Sequence, residues 1–401
     1  MKRLLMATTA LCLGAGTAAA EVALSGSAEM GVAGSKDDSA RFHTDIDVTF
    51  TLSGTTDAGV MFGSAIDIDE ASDDDDVHDD ATQDDDDDGG IAVFMSDPDG
   101  FGTVTMGDTA GAIAWAVSDA RGAGPGSIRD NHEHGGSSGN DGLDAKHDNQ
   151  ILRWDRAIGS GFSMAASVEL DDDTGGTPTS DTHDPIFGVG GTYSMPMGVG
   201  TLGLGGGFQV GSFDHAIMDG EPDPADATKK RTIWNEEVEA TAFGGSVSLD
   251  FGSGGDGIKV VGDAGLMEAD GSRADTEGAI VQTADVEAMH MGLGLGYTVG
   301  AISLGVNVGT MTTESTSTGQ GDGNVTVIEE TVEGVGFTAQ YDLGGGAKLQ
   351  FGVGSSQTDT DYDYGAGVQG LSAPPAGRTR DNMHDSSSDA NSWSLGVAFS
   401  F

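Results

Sequence analysis

The chain has 401 residues and a formal net charge of −49, with 66 acidic residues against 17 basic ones. Such a surface is a poor partner for nucleic acid, anionic membrane surfaces and anionic ligands, and a good one for cations. The 67 glycines follow no triplet repeat, which excludes collagen, and no apolar run approaches the roughly 20 residues of a membrane helix, so any membrane reading must rest on strands.

Residues 1–20 read as a secretory signal. Lys2 and Arg3 supply the charged start, Leu4 to Ala15 the apolar core, and Ala18-Ala19-Ala20 a small-residue cleavage site before Glu21. Cys12 is the one cysteine and falls inside this signal, so the exported chain would have neither disulfides nor thiol chemistry.

Beyond the signal, one pattern recurs. Phe42, Thr44, Ile46, Val48, Phe50 and Leu52 alternate with Arg41, His43, Asp45, Asp47, Thr49 and Thr51. Phe162 to Leu170, Met289 to Tyr297, Ile302 to Val308 and Leu349 to Val353 repeat the period of two. So do Trp393, Leu395, Val397, Phe399 and Phe401 against Ser392, Ser394, Gly396, Ala398 and Ser400. One face is apolar; the other is polar, small or charged, as in a strand half in an apolar medium. The stretch 232–251 changes phase near Gly244-Gly245, where a bulge is expected.

The connections alternate in length. Ser53–Gly59, Asp97–Gly100, Ala157–Gly161, Met195–Val199, Gly252–Asp256, Thr298–Ala301 and Asp342–Gly346 are short, and most carry the Gly, Asp or Pro of tight turns. Long polar segments lie between them, near residues 34–40, 70–89, 109–148, 172–184, 213–232, 269–283, 312–326 and 358–390. Seven hairpins with an opening and a closing strand make sixteen strands. An even count, with short turns at one end and long loops at the other, is the layout of an all-β, 16-stranded antiparallel transmembrane β-barrel over residues 21–401. Sixteen strands leave room for an aqueous channel. The closing strand, Trp393–Phe399, is expected to pair with the first near Val22–Val32.

Several stretches together resemble the general diffusion porins of the Gram-negative outer membrane, most closely those of phototrophic and marine alphaproteobacteria. They are Glu21-Val22-Ala23-Leu24-Ser25-Gly26 with Met30-Gly31-Val32, Phe50 to Asp57 with Gly59 and Phe62-Gly63, and Phe101-Gly102 leading to Met106-Gly107-Asp108. Phe162-Ser163 with Ala165-Ala166-Ser167, Tyr341 to Ala347, and the final Phe401 follow in the same order. The resemblance implies a homotrimer in outer-membrane lipid and lipopolysaccharide, short periplasmic turns and long extracellular loops. It also implies a third loop, 109–148, folded into each barrel as a constriction, and Phe401 as the signal read by the barrel-assembly machinery.

In that family, acidic groups of the constriction loop face basic groups on the wall. Here the loop carries Asp119, Asp130, Glu133, Asp141 and Asp144, following Asp108, together with Arg121, Arg129 and Lys146. The second strand holds Asp45 and Asp47 beside His43, where close relatives have arginines. Arg41, Arg153 and Lys348 are the clear lumen-side cations by phase. An outer-membrane channel for passive diffusion of ions and small hydrophilic solutes, biased to cations, is therefore expected.

Asp73, Asp74, Asp75 and Asp76, with Asp84, Asp85 and Asp86, form an acidic run that suits loosely bound Ca²⁺ or Mg²⁺, although no spaced calcium loop is present. The bland alternative is a solvated acidic loop. His132-Glu133-His134 offers metal ligands without a specified third or fourth, in a glycine-rich loop where incidental histidines are the simpler reading. No nucleophile elbow or phosphate loop is present, so neither catalysis nor a required cofactor is expected. The rival from another class is a secreted acidic calcium-binding β-protein of adhesin or surface-layer type.

Overall fold

The computed structural model describes residues 21–36, 39–71, 90–130, 132, 134–137, 140–144, 150–170, 185–222, 230–253, 255–274, 280–319, 325–364 and 386–401. The expected signal at 1–20 and the acidic run at 73–76 and 84–86 lie outside these residues, as does Glu133.

The first eight strands are β1 (Glu21–Ser35), β2 (Arg41–Thr55), β3 (Met61–Ala71), β4 (Gly90–Asp97), β5 (Gly102–Asp108), β6 (Gln150–Gly159), β7 (Phe162–Glu169) and β8 (Ile186–Met197). The next eight are β9 (Gly200–Pro222), β10 (Lys230–Ser253), β11 (Asp256–Ala274), β12 (Ile280–Val299), β13 (Ile302–Gly319), β14 (Val325–Gly344), β15 (Ala347–Tyr364) and β16 (Ser386–Ser400). Each pairs antiparallel with its sequence neighbours, and β1 pairs with β16, so the sheet closes into a barrel with no open edge. The expected sixteen strands and seven tight turns are all present.

The alternating pattern resolves as lipid-facing and lumen-facing. Phe42, Ile46, Met291, Leu293, Val306 and Leu395 are exposed on the outside of an isolated barrel. His43, Asp45, Arg153, Gln209, Asp263, Asn307 and Gln350 are buried on the inside. Outward Phe162, Phe251, Tyr297 and Tyr341 lie near the short-turn end and build part of an aromatic girdle. The turn after β14 needs its glycine run: Gly344, Gly345 and Gly346 all have positive φ (82°, 66° and 87°), a region costly for other residues.

Two expectations are corrected. The seam joins Ser27–Ser35 to Ser392–Ser400, running from Ser27↔Ser400 to Ser35↔Ser392, rather than reaching down to Val22. β16 is shorter at that end than β1, whose residues from Glu21 pair with β2 alone, and the Phe401 N–H closes the seam on the Gly26 carbonyl at 2.9 Å. The bulge near Gly244-Gly245 does not form. β9 and β10 pair without interruption from Trp234↔Ile217 to Asp250↔Thr201, and the register shifts lie around Thr232. The change of phase has another cause: Ala240 and Ala242, with Val238 beside them, face inward into an apolar cluster with Ile113, Val117 and Leu143 of the segment that follows β5.

The wall is uneven in height. β4, β5 and β7 have 8, 7 and 8 residues, whereas β9, β10 and β12 have 23, 24 and 20.

Candidate functional site

The segment after β5 does not leave the barrel. It forms a short helix, α1 (Ala112–Ala116), and a 3₁₀ turn, Ala120–Ala123, both packed on the inner wall. It begins at Arg153, whose guanidinium donates to the Ala110 carbonyl at 2.5 Å and to Thr109 Oγ1 at 3.2 Å. Backbone N–H groups then donate to wall side chains in succession: Ala112 to Ser167 Oγ at 3.0 Å, Ser118 to Ser246 Oγ at 2.9 Å, and Ala120 to Asp263 Oδ1 at 2.7 Å. Lys259 Nζ donates to the Gly122 carbonyl at 2.9 Å. Farther along, Ile128 sits against Gly31 and Gly396 at the β1–β16 seam. The chain then returns past β14 and β13 to Gln209 on β9, whose Oε1 accepts from Leu143 N–H at 2.7 Å.

Glycine lets this segment lie so close. Carbonyl oxygens of Ala112, Ala116, Ala120 and Ala123 rest on Gly190, Gly205, Gly294 and Gly296, and those of His132 and Gly136 on Gly336 and Gly309. A Cβ at any of these wall positions would collide with the oxygen above it. Part of the glycine content is thus a floor for a backbone, set on the inward phase of strands β8 to β14.

Polar groups lock the two arms of the segment together. Asn140 Nδ2 donates to Asp119 Oδ1 at 2.6 Å and to Asp263 Oδ2 at 2.9 Å. Its Oδ1 lies 2.9 Å from His290 Nε2, which assigns the proton to that nitrogen. Asp144 closes the other end, accepting from Gly111 N–H at 2.7 Å and from Gln209 Nε2 at 2.5 Å. Burial pushes the Asp144 carboxyl up to about 7, against the pull of those two donors, with Glu169 and Asp141 adding like charge. Burial also raises Asp141, helped by Asp119. His132 and His134 are lowered by burial, so both favour the neutral form.

The other predicted residues fall as follows. His43 and Asp45 are buried and Asp47 half-buried on the inner face of β2. Glu29 on β1 pairs across from Asp45, and His43 Nε2 lies 3.9 Å from Glu29 Oε2. Ser27 Oγ donates to Asp47 Oδ2 at 2.5 Å, and Thr49 Oγ1 to Asp67 Oδ1 at 2.9 Å. The inner faces of β1 to β3 therefore carry Glu29, Asp45, Asp47 and Asp67 in one patch. Asp119 lies 3.7 Å from the Arg121 guanidinium, and Asp130 has a positive φ of 47°. Asp108 ends β5 beside Gly90.

The three expected wall cations do not form a cluster. Arg41 is exposed at the long-loop end of β2, and Lys348 opposes Asp342 at the short-turn end of β15. Arg153 is buried beneath the start of the infolded segment. His132 and His134 pack on the glycines of β14, with His132 Nδ1 3.5 Å from Ser127 Oγ.

Glu29, Asp67, Asn140, Gln209, Lys259, Asp263 and His290 were not anticipated as site residues. The alternation of Met289 and Met291 already puts His290 inward, and that of Ile258 and Val260 does the same for Lys259. What lies above each of them depends on the path of the infolded segment, which strand phase does not encode.

A family model described as Gram-negative porin matches residues 7–363. Among solved structures, a porin refined at 1.8 Å resolution is 23% identical with a TM-score of 0.53, covering 95% of this chain and 100% of that one. OmpT, an outer membrane protein of Vibrio cholerae in its trimer form, is 12% identical with a TM-score of 0.50, covering 96% of this chain and 100% of that one. At these identities the likeness is one of fold. No curated protein sequence matches.

Proposed function

Because this chain belongs to the Gram-negative porin family and is an outer-membrane porin channel, we propose that its pore passes small hydrophilic solutes with a preference for cations. This family membership displaces the secreted calcium-binding alternative. One observation carries the preference: the acidic patch of Glu29, Asp45, Asp47 and Asp67 on the inner faces of β1 to β3. Arg153 and Lys259 spend hydrogen bonds on carbonyls of the infolded segment, which holds their charge at its base. Carboxylates on a low-dielectric wall raise the local cation concentration. The segment over 109–148 acts as the constriction, sieving by size, and no catalytic group is needed.

A planar bilayer with a KCl gradient tests the preference. The reversal potential should indicate K⁺ over Cl⁻, and Asp45→Asn with Asp47→Asn should weaken that bias. A chloride-selective pore would overturn the electrostatic reading and leave the fold untouched.

The working unit is a homotrimer. A transmembrane strand needs about 9–11 residues. β4, β5 and β7 are shorter than that, yet Ile91, Val93 and Met95 on β4 are exposed and apolar. A low apolar wall is better covered by neighbouring protomers than by lipid. Removal of residues 1–20 on export and recognition of Phe401 during assembly complete the reading. The acidic run at 73–76 and 84–86 would add weak Ca²⁺ or Mg²⁺ binding at the mouth.

A further inference from the structure

We propose that Glu29, His43 and Asp45 form a binding site for a transition-metal dication of the zinc class on the lumen wall, and that occupancy alters the pore current. One ligand atom from each lies within 4.8 Å of the other two. Glu29 and Asp45 are direct cross-strand partners, and His43 sits two residues along β2 on the same inward face. The β1–β2 ladder is continuous from Glu21↔Ser53 to Ala33↔Arg41, so the three Cα positions are held by rigid backbone.

The donor set selects the ion. Ca²⁺ and Mg²⁺ prefer oxygen donors and more of them, whereas an imidazole nitrogen with two carboxylates suits Zn²⁺, Cu²⁺ or Ni²⁺. A tetrahedral Zn²⁺ with bonds of about 2.0–2.1 Å needs donors about 3.3 Å apart. The 3.9 Å between His43 Nε2 and Glu29 Oε2 closes to that by a small side-chain shift. Three protein ligands leave one position for water, as suits a site reached from an aqueous lumen.

The surroundings favour a bound charge. His43 and Asp45 are each only 5% exposed, which limits competition from solvent. Gly31, the partner of His43, has no side chain, and Ile128 of the infolded segment seats against it. The cluster thus lies beside the tip of the constriction, where a bound ion would act on current.

The test uses purified full-length protein and Zn²⁺ as probe, with Mg²⁺ as control. Calorimetry in detergent at pH 7.5 should give one Zn²⁺ per chain with an affinity that His43→Ala lowers by about tenfold or more, since even the loss of an outer partner of a metal ligand costs that much. In bilayers, Zn²⁺ should change the current at concentrations where Mg²⁺ does not, and His134→Ala should leave that Zn²⁺ effect in place. His43→Gln, which keeps a polar side chain, should reproduce the loss, separating ligation from folding. Equal Zn²⁺ affinity in the wild type and both His43 variants would overturn the site. The calorimetric arm is independent of ion preference, so a chloride-selective pore that still binds Zn²⁺ through His43 would sink the cation reading and leave this one.

Discussion

His290 and Asp263 grip the same loop residue. His290 Nε2 lies 3.3 Å from Asp263 Oδ2 and 2.9 Å from Asn140 Oδ1, while Asn140 Nδ2 donates to Asp263. Two adjacent wall strands thereby hold the returning arm of the infolded segment against its outgoing arm at Asp119.

Asn140→Ala should loosen that grip. It removes hydrogen bonds to Asp119, Asp263 and His290 and leaves buried partners behind, at a cost of about 1–3 kcal/mol. The barrel ladders do not involve this side chain. Single-channel recordings should show more frequent current fluctuations, with an unchanged strand signal in circular dichroism.

Gly294→Val should have a larger effect by a steric route. The new Cβ would collide with the Ala120 carbonyl oxygen, so the segment must lift from β12. The expected result is altered conductance and a changed size cut-off for neutral sugars. Gly262→Val on the same sheet, where a Cβ meets only distant atoms of Gly292 and Leu293, should leave both near wild type.

Asp144 gives the constriction a pH dependence. Its carboxyl is raised from an ordinary value near 3.8 to about 7 by burial. The folded state therefore holds this proton more tightly than the unfolded one, and stability falls as pH rises from about 4 through about 7. Asp144→Asn keeps a neutral group at every pH. The stability of the wild type relative to this variant, from thermal unfolding in detergent, should decrease across that window.

The trimer reading separates two sides of one barrel. Val93→Arg on the short strand β4 and Leu293→Arg on the tall strand β12 both put a charge on the outer face. On that reading Leu293→Arg carries a lipid penalty of about 2–4 kcal/mol near the bilayer midplane, whereas Val93→Arg buries its charge against a neighbouring protomer. Only Val93→Arg should convert trimers to monomers in cross-linking, because only that wall needs a protein neighbour.

Strand number, turns and the outward face were legible in the sequence because lipid requires apolar side chains at every second position. The closing register was less so. β1 reads EVALSGSAEMGVAGS, with small residues on both faces, and such a strand does not announce where its partner ends. The acidic face of β2 was visible from phase, but Glu29 beside it was not singled out. The loop anchors were hidden for a different reason. Ala120 and Gly294 touch although they stand 174 positions apart in the sequence, and an alanine and a glycine carry no sign of it. The change of phase in β10 is real in the sequence. It marks the inner wall turning apolar beneath Ile113 and Val117, not a break in the strand.

The seam between Ser27 and Ser400 also has a kinetic side. Fifteen of the sixteen strand junctions join neighbours in sequence and can zip locally. The remaining one joins residues separated by nearly the whole chain, and loop closure over such a span is slow. Until β16 docks, both β1 and the growing end present rows of unpaired N–H and C=O groups, which hydrocarbon does not tolerate. A cell making this protein must shelter two raw edges for the whole time that the last strand takes to arrive. The rate of that single event, more than the stability of any hairpin, should set how much of the chain is lost to aggregation on the way.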